Sequence, residues 1–142
     1  MKAFAVNTAI RATPERIWAL LTDASGYVSW NNTVEKVTGR IALGESVTVY
    51  PKINPKRAFP VKVVAVEPTR RMVWRGGMPL GLFQGERTFT LTPRPDGAID
   101  FSMREEYSGL MAPMITRSIP DLQPAFDEFA HDLKRAAEEA AR

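Results

Sequence analysis

Residues 85–107, GERTFTLTPRPDGAIDFSMREEY, decide how the rest of the chain is read. Two runs of alternating apolar and polar residues flank a Pro-Asp-Gly turn, the pattern of a β-hairpin. Side chains on a strand alternate between faces. Phe89 and Leu91 therefore share one face with Arg87, while Glu86, Thr88, Thr90 and Thr92 occupy the other. On the second strand Ile99, Phe101 and Met103 form the apolar row, and Glu105 and Tyr107 extend it. A strict two-residue Asp96-Gly97 loop would set Thr90 against Met103 and mismatch the faces, so a longer or bulged turn is expected. Two registers satisfy the faces. One opposes Leu91 to Phe101, Phe89 to Met103 and Arg87 to Glu105; the other opposes Arg87 to Tyr107 and leaves Glu105 diagonal. Both make Arg87 and Glu105 neighbours on an otherwise apolar face.

The segments before the hairpin continue the same theme. AFAVNTAIRA (3–12) alternates as a strand, with Phe4, Val6, Thr8 and Ile10 on one face. TPERIWALLTD (13–23) then opens a helix: Thr13 suits the N-cap, Pro14 the first helical position and Glu15 the first turn. Ile17, Trp18, Leu20 and Leu21 supply its buried side. ASGYVSWNN (24–32) reads as a short helix or turn. TVEKVTGRI, ESVTVYPKI, FPVKVVAVEP and RRMVWRG are β-branched or aromatic-rich runs bounded by Gly, Pro or Asn, and read as strands. In residues 58–68 two inward rows compete, Val61, Val63 and Ala65 against Val64 and Val66, with a bulge as the way to reconcile them. Beyond residue 110 the period turns helical: Ile115, Ile119, Leu122, Phe126, Phe129 and Leu133 fall on one face. LKRAAEEAAR (133–142) is a strong helix former, and Pro120 and Pro124 should kink the helix or make its start irregular.

Composition narrows the chemistry. The 142 residues fit one domain spanning 1–142, and 44% hydrophobic with 25% charged residues is ordinary for a soluble globular chain. No apolar run approaches the length of a membrane span, and MKAFAVNTAIRATPE alternates instead of forming a signal-peptide core, so a cytoplasmic protein without stable membrane insertion is expected. With no cysteine and a single histidine, His131, the chain has no disulfide, no thiol nucleophile and no multi-histidine metal site; no metal or other cofactor is expected. The net charge of +3 is spread over scattered Lys and Arg residues, which argues against nucleic-acid binding. His131 lies opposite the apolar stripe, so an exposed imidazole is expected, and with it no hydrolase activity on generic esters or phosphates. Asp121, Asp127, Glu128 and Asp132 read as the solvated face or first turns of the helix.

The order of elements, with ATPERIWALLTD (12–23), SWNN (29–32) and FQGERTFTLTPRPDGAIDFSMREEYSGLMAPM (83–114), resembles the START-like or SRPBCC superfamily, and within it the bacterial polyketide cyclase/dehydrase-like branch. The A-x-P-E-x-x-W helix start and the E-x-x-G-L exit toward the last helix occur in the order of that family. The resemblance implies an α+β helix-grip fold: a curved antiparallel sheet of about seven strands around a long C-terminal helix, with two short helices after the first strand. It also implies a deep cavity between sheet and helix, several hundred Å³ in volume, that takes a lipid, polyketide or isoprenoid-like molecule.

Rows facing that cavity would include Val47 and Val49, Met72 and Trp74, Phe89 and Leu91, and Phe101 and Met103. Ile119, Leu122 and Phe126 would line it from the helix, with Trp30 in the core or as a lid at its mouth. Trp18 is expected to be structural, and Met78, Met111 and Met114 to be flexible gap-fillers. An isolated buried charge is costly, so Arg87 and Glu105 should pair. They either plug the end of the sheet or anchor a polar ligand group, with Tyr107 as a third hydrogen-bonding partner. A carboxylate beside a guanidinium is favoured in its charged form, which suits anchoring better than base catalysis. The rival reading is a cyclase or dehydratase with Glu105 as general acid or base and Arg87 stabilising an enolate. A third is an interaction module that docks a partner or a membrane surface through the LGLF loop (80–83) and the basic surface.

Overall fold

The computed structural model describes residues 2–53 and 56–140. Its centre is one seven-stranded antiparallel sheet of β1 (Lys2–Ile10), β2 (Val34–Gly39), β3 (Ser46–Pro51), β4 (Phe59–Glu67), β5 (Arg71–Met78), β6 (Phe83–Pro93) and β7 (Ile99–Ser108). The strands lie in the order β1-β7-β6-β5-β4-β3-β2 and the sheet curls into a half-barrel. Helices α1 (Pro14–Thr22) and α2 (Tyr27–Trp30) follow β1, and α3 (Ala112–Thr116) and α4 (Gln123–Ala140) follow β7.

The β6–β7 hairpin adopts the first of the two expected registers. Leu91 opposes Phe101, Phe89 opposes Met103 and Arg87 opposes Glu105. The turn is longer than two residues: pairing ends at Pro93 and Ile99, and the Arg94 N–H donates to the Ala98 carbonyl at 2.9 Å. The inward rows are closed from solvent, with Val47, Met72, Phe89 and Phe101 fully buried and Trp74, Leu91 and Met103 nearly so; Val49 is half-buried. The two rows competing in β4 both contribute. A register shift between Val63 and Ala65 turns the strand over, so Val61 and Val63 pack inward before it and Val66 after it.

Helix α1 begins as its sequence dictates. Thr13 Oγ1 accepts the Arg16 N–H at 3.1 Å, Pro14 occupies the first turn, and Ile17 and Leu21, one turn apart, are fully buried. Trp18 and Leu20 are only half-buried, on the flank of that stripe.

The apolar stripe from Ile115 to Leu133 is not one kinked helix. α3 ends at Thr116 and α4 starts at Gln123, with an irregular segment, 117–122, between them. Pro120 has no N–H to offer a helix, Asp121 Oδ1 accepts the Gln123 N–H at 3.0 Å, and Pro124 sits in the first turn of α4, where a missing donor costs nothing. The helical propensity of 133–140 is realised, while Ala141 and Arg142 lie outside the described residues. α4 lies along β1 and engages carbonyls of that edge strand. Gln123 Nε2 donates to Ala5 O (2.8 Å) and Lys134 Nζ to Ala9 O (2.6 Å), and Glu138 accepts the Arg11 N–H (2.9 Å). The helix thereby shields one sheet edge from pairing with other chains.

Candidate functional site

Three polar side chains converge where β6 begins and β7 ends. Arg87 Nε donates to Glu105 Oε1 at 3.1 Å across the ladder. Tyr107 is two residues beyond Glu105 on the same face, and its hydroxyl donates to the other carboxylate oxygen. Glu105 is thus held from both sides. The side chains of Arg87 and Glu105 keep 22% and 17% of their exposure, so the pair is shielded yet reachable. The Arg87 guanidinium lies 4.9 Å from the centre of the Phe126 ring on α4, a cation–π contact. Tyr107 stacks on Phe83 with ring centres 5.8 Å apart and meets Phe4 edge-on at 6.3 Å.

Burial, then the charge of Glu105 and the bond to it, push the Tyr107 phenol far above its ordinary range; the nearby Arg87 charge only partly opposes this. The phenol therefore stays a protonated donor at any physiological pH. A carboxylate acceptor, a fixed cation and a phenol donor in one half-shielded spot can hold a polar group at the end of an apolar molecule.

The other candidate residues surround this cluster but leave little room. Trp74 sits opposite Arg87 on β5 and packs edge-on against Phe89 at 4.8 Å. Met72, Phe89, Phe101 and Met103 are buried on the sheet, Phe126 is buried on α4, and Ile119 and Leu122 pack half-buried against the core from the 117–122 segment. The interior between sheet and α4 is filled instead of open. Phe129 stacks on Phe101 (6.1 Å, 9° between planes) and meets Trp30 edge-on (5.5 Å), while Tyr27 packs on Trp30 at 5.0 Å. Two pockets among the described residues, at about 380 and 330 Å³, are both open and superficial. The larger is a groove between α1, α2 and α4 lined by Arg16, Leu20, Ser29, Trp30, Arg135 and Glu139; the other lies at Thr22–Ser25 and Gly39–Ile41. The expected deep cavity is therefore corrected: aromatic side chains long enough to meet across the layer close it. Trp30 is a core residue that also walls the outer groove. Met78 and Met114 are exposed and fill no gap, and Met111 is half-buried.

Two residues escaped the sequence reading. Tyr27 is fully buried, donates to the Leu21 carbonyl at 2.6 Å, and has its phenol raised well beyond its usual range by desolvation. Asp132, expected on the solvated face, is 1% exposed. Its carboxylate accepts the Asn32 N–H at 2.8 Å and faces Arg135 Nη2 at 3.5 Å, tying α4 to the start of β2. Asp132 follows Phe129 by three positions and so shares the flank of the buried stripe, which was the available signal. His131 is exposed as expected, along with Asp121 and Asp127; Glu128 is half-buried. No cluster of three or more metal-ligating side chains occurs among the described residues, and no helix among them is long and apolar enough to cross a membrane.

A family model described as "Polyketide cyclase / dehydrase and lipid transport" matches residues 1–138. No curated protein matches the chain. Among solved structures, protein MLL2253 from Mesorhizobium loti is 23% identical, with 94% of this chain and 95% of that one aligned at a TM-score of 0.72. The ZhuI aromatase/cyclase from Streptomyces sp. R1128 is 11% identical, with 99% and 96% covered and a TM-score of 0.77. A point mutant of norcoclaurine synthase from Thalictrum flavum, in complex with a transition-state analogue, is 14% identical, with 99% and 96% covered and a TM-score of 0.75. At these identities the likeness is one of fold, and the fold is the helix-grip.

Proposed function

The chain belongs to the polyketide cyclase/dehydrase and lipid transport family, and from that membership we propose that it binds an apolar or amphipathic small molecule, of lipid, polyketide or isoprenoid type, between the sheet and α4. Arg87, Glu105 and Tyr107 hold the polar end. The observation that carries this reading is the ion pair itself: two charges on the inward, otherwise apolar face of a sheet, kept partly accessible and backed by a phenol. A purely structural face would gain more from apolar residues of the same volume, since a shielded pair does little better than break even. The apolar part of the ligand lies against Phe126, Ile119 and Leu122. The 117–122 segment, which is neither helix nor strand, is where the wall between sheet and α4 yields to admit it.

Native mass spectrometry of the purified chain, with organic extraction of what co-purifies, tests the reading directly. A fluorescent apolar probe displaced by carboxylate- or phenol-bearing analogues then tests the anchor. Arg87→Met should weaken the polar analogues while leaving the bare apolar probe bound. Equal loss for both, or no ligand and no probe binding, sinks the proposal.

The second reading is a cyclase or dehydratase, favoured by the meeting of a carboxylate with a cation that would stabilise a developing enolate. In that case Glu105→Gln abolishes turnover of a polyketide-like substrate while ligand affinity persists. Loss of both together returns the site to binding alone.

A further inference from the structure

The edge of the sheet nearest Arg87 carries an unusual set of side chains. Here β3 and β5 end, β4 and β6 begin, and β7 passes into α3. The loops interlock: Leu110 N–H donates to Gly81 O at 3.1 Å and Met111 N–H to Leu82 O at 2.7 Å. Gly109, at φ +111, passes so close to Leu82 that a Cβ would lie 2.7 Å from its carbonyl oxygen. On this interlocked edge Leu80 is 92% exposed, Leu110 83% and Met114 62%, and Ile53, Phe59 and Met78 are exposed beside them.

Stability does not account for Leu80. Its backbone sits at φ +62, a left-handed conformation that a bulky side chain disfavours, and its side chain contributes almost nothing to the core. At the same end of the sheet, Lys52, Lys56 and Arg57 on the β3–β4 loop and Arg117 after α3 are all exposed and, among the described residues, make no ion pair with an acid. The nearby acid Glu86 is already neutralised by Arg75 at 2.8 Å, and Asp121 is occupied in starting α4. Apolar tips beside unpaired cations at one end of the sheet match a surface that is apolar below and anionic above.

We propose that this edge docks the protein peripherally on an anionic lipid bilayer, with Leu80, Leu110 and Met114 entering the headgroup–acyl boundary and the four cations on the lipid phosphates. The docking does not depend on what the interior binds, so it stands or falls separately from the ligand reading.

The test is co-sedimentation of the full chain with vesicles of phosphatidylcholine alone and of phosphatidylcholine with 30 mol% phosphatidylglycerol. Binding is expected to the anionic vesicles, to be lost with the lipid charge, and to weaken steeply as salt rises. Removing each basic residue should weaken it about fivefold, the usual worth of one cation near such a surface. Leu80→Gly is the decisive variant. It relieves the backbone, so its melting temperature should equal or exceed that of the parent, while vesicle binding falls roughly tenfold; Leu110→Ser, on a different loop, should act in the same direction. No sedimentation with anionic vesicles, indifference to lipid charge, or parental binding by both leucine variants overturns the proposal. An acidic protein partner for this edge would give the first of those results.

Discussion

Glu105→Gln is the sharpest probe of the polar cluster, because it removes one charge and almost no volume. At 3.1 Å and an effective dielectric of about 20, the attraction lost is about 5 kcal/mol gross. Glu105 also loses its own desolvation cost, and water reaches both side chains, so the net penalty falls to about 2 kcal/mol. For 142 residues the unfolding entropy is about 0.3 kcal/mol/K, so the melting temperature should drop by about 7 °C at neutral pH. Tyr107→Phe removes one donor and leaves the ion pair, so it should cost about 1 kcal/mol, or about 3 °C. Arg87→Met combined with Glu105→Gln should be no less stable than Glu105→Gln alone, since no guanidinium is left without its partner. Thermal unfolding followed by circular dichroism reads all of these. A shift below about 2 °C for Glu105→Gln, or strict additivity in the double variant, would refute the coupling inferred from the geometry.

Three further outcomes follow from other contacts. The Glu138 carboxyl is held below its ordinary value, first by the Arg11 N–H and then by Lys134. Its contribution is therefore present above the unfolded carboxyl value and lost as pH falls through the folded one. Glu138→Gln should cost about 1 kcal/mol at pH 7 and progressively less as pH falls below the ordinary carboxyl range, as melting curves across pH will show. Asp132→Ala should cost about 1–2 kcal/mol by leaving the part-buried Asn32 N–H unpaired, and Asp132→Asn less, because it keeps an acceptor; denaturant titration checks the order. Phe129→Ala should cost about 3–5 kcal/mol and open space amid Phe101, Trp30 and Tyr27, so the variant should bind an apolar fluorophore more tightly than the parent does.

The hairpin register was legible because alternation and a long turn leave few pairings that keep both apolar rows on one face. The start of α1 was legible because Thr13, Pro14 and Glu15 act locally. The break at 117–122 was not, since a stripe of apolar spacing reports which face is buried and is silent on whether the backbone stays continuous through Pro120. Nor was the filled interior. Phe101 and Phe129 facing each other across a layer can wall a cavity or close it, and ring packing decides that only in three dimensions. Asp132 was misread because its charge suggested water, while its position beside Leu133 set its surroundings. The pairing of Arg87 with Glu105 came from their shared apolar face, whereas the placement of Tyr107 on the second carboxylate oxygen needed the actual side-chain geometry.

The strand order has a consequence for synthesis of the chain. β2 through β6 each pair with the next strand in sequence, so five of the six ladders close over short loops. The sixth joins Lys2 to Tyr107, and the helix that covers β1 begins only at Gln123. During translation the first strand made is thus the last to find a partner, and it waits while the rest of the sheet assembles by successive hairpins. Its apolar row, Phe4, Val6 and Ile10, stays open to chaperones or to other nascent chains for that interval. Substitutions in β1 should consequently affect the yield of folded protein on the ribosome more than the speed at which β2–β7 form, a separation that pulse-labelled synthesis with amide exchange on arrested chains can measure.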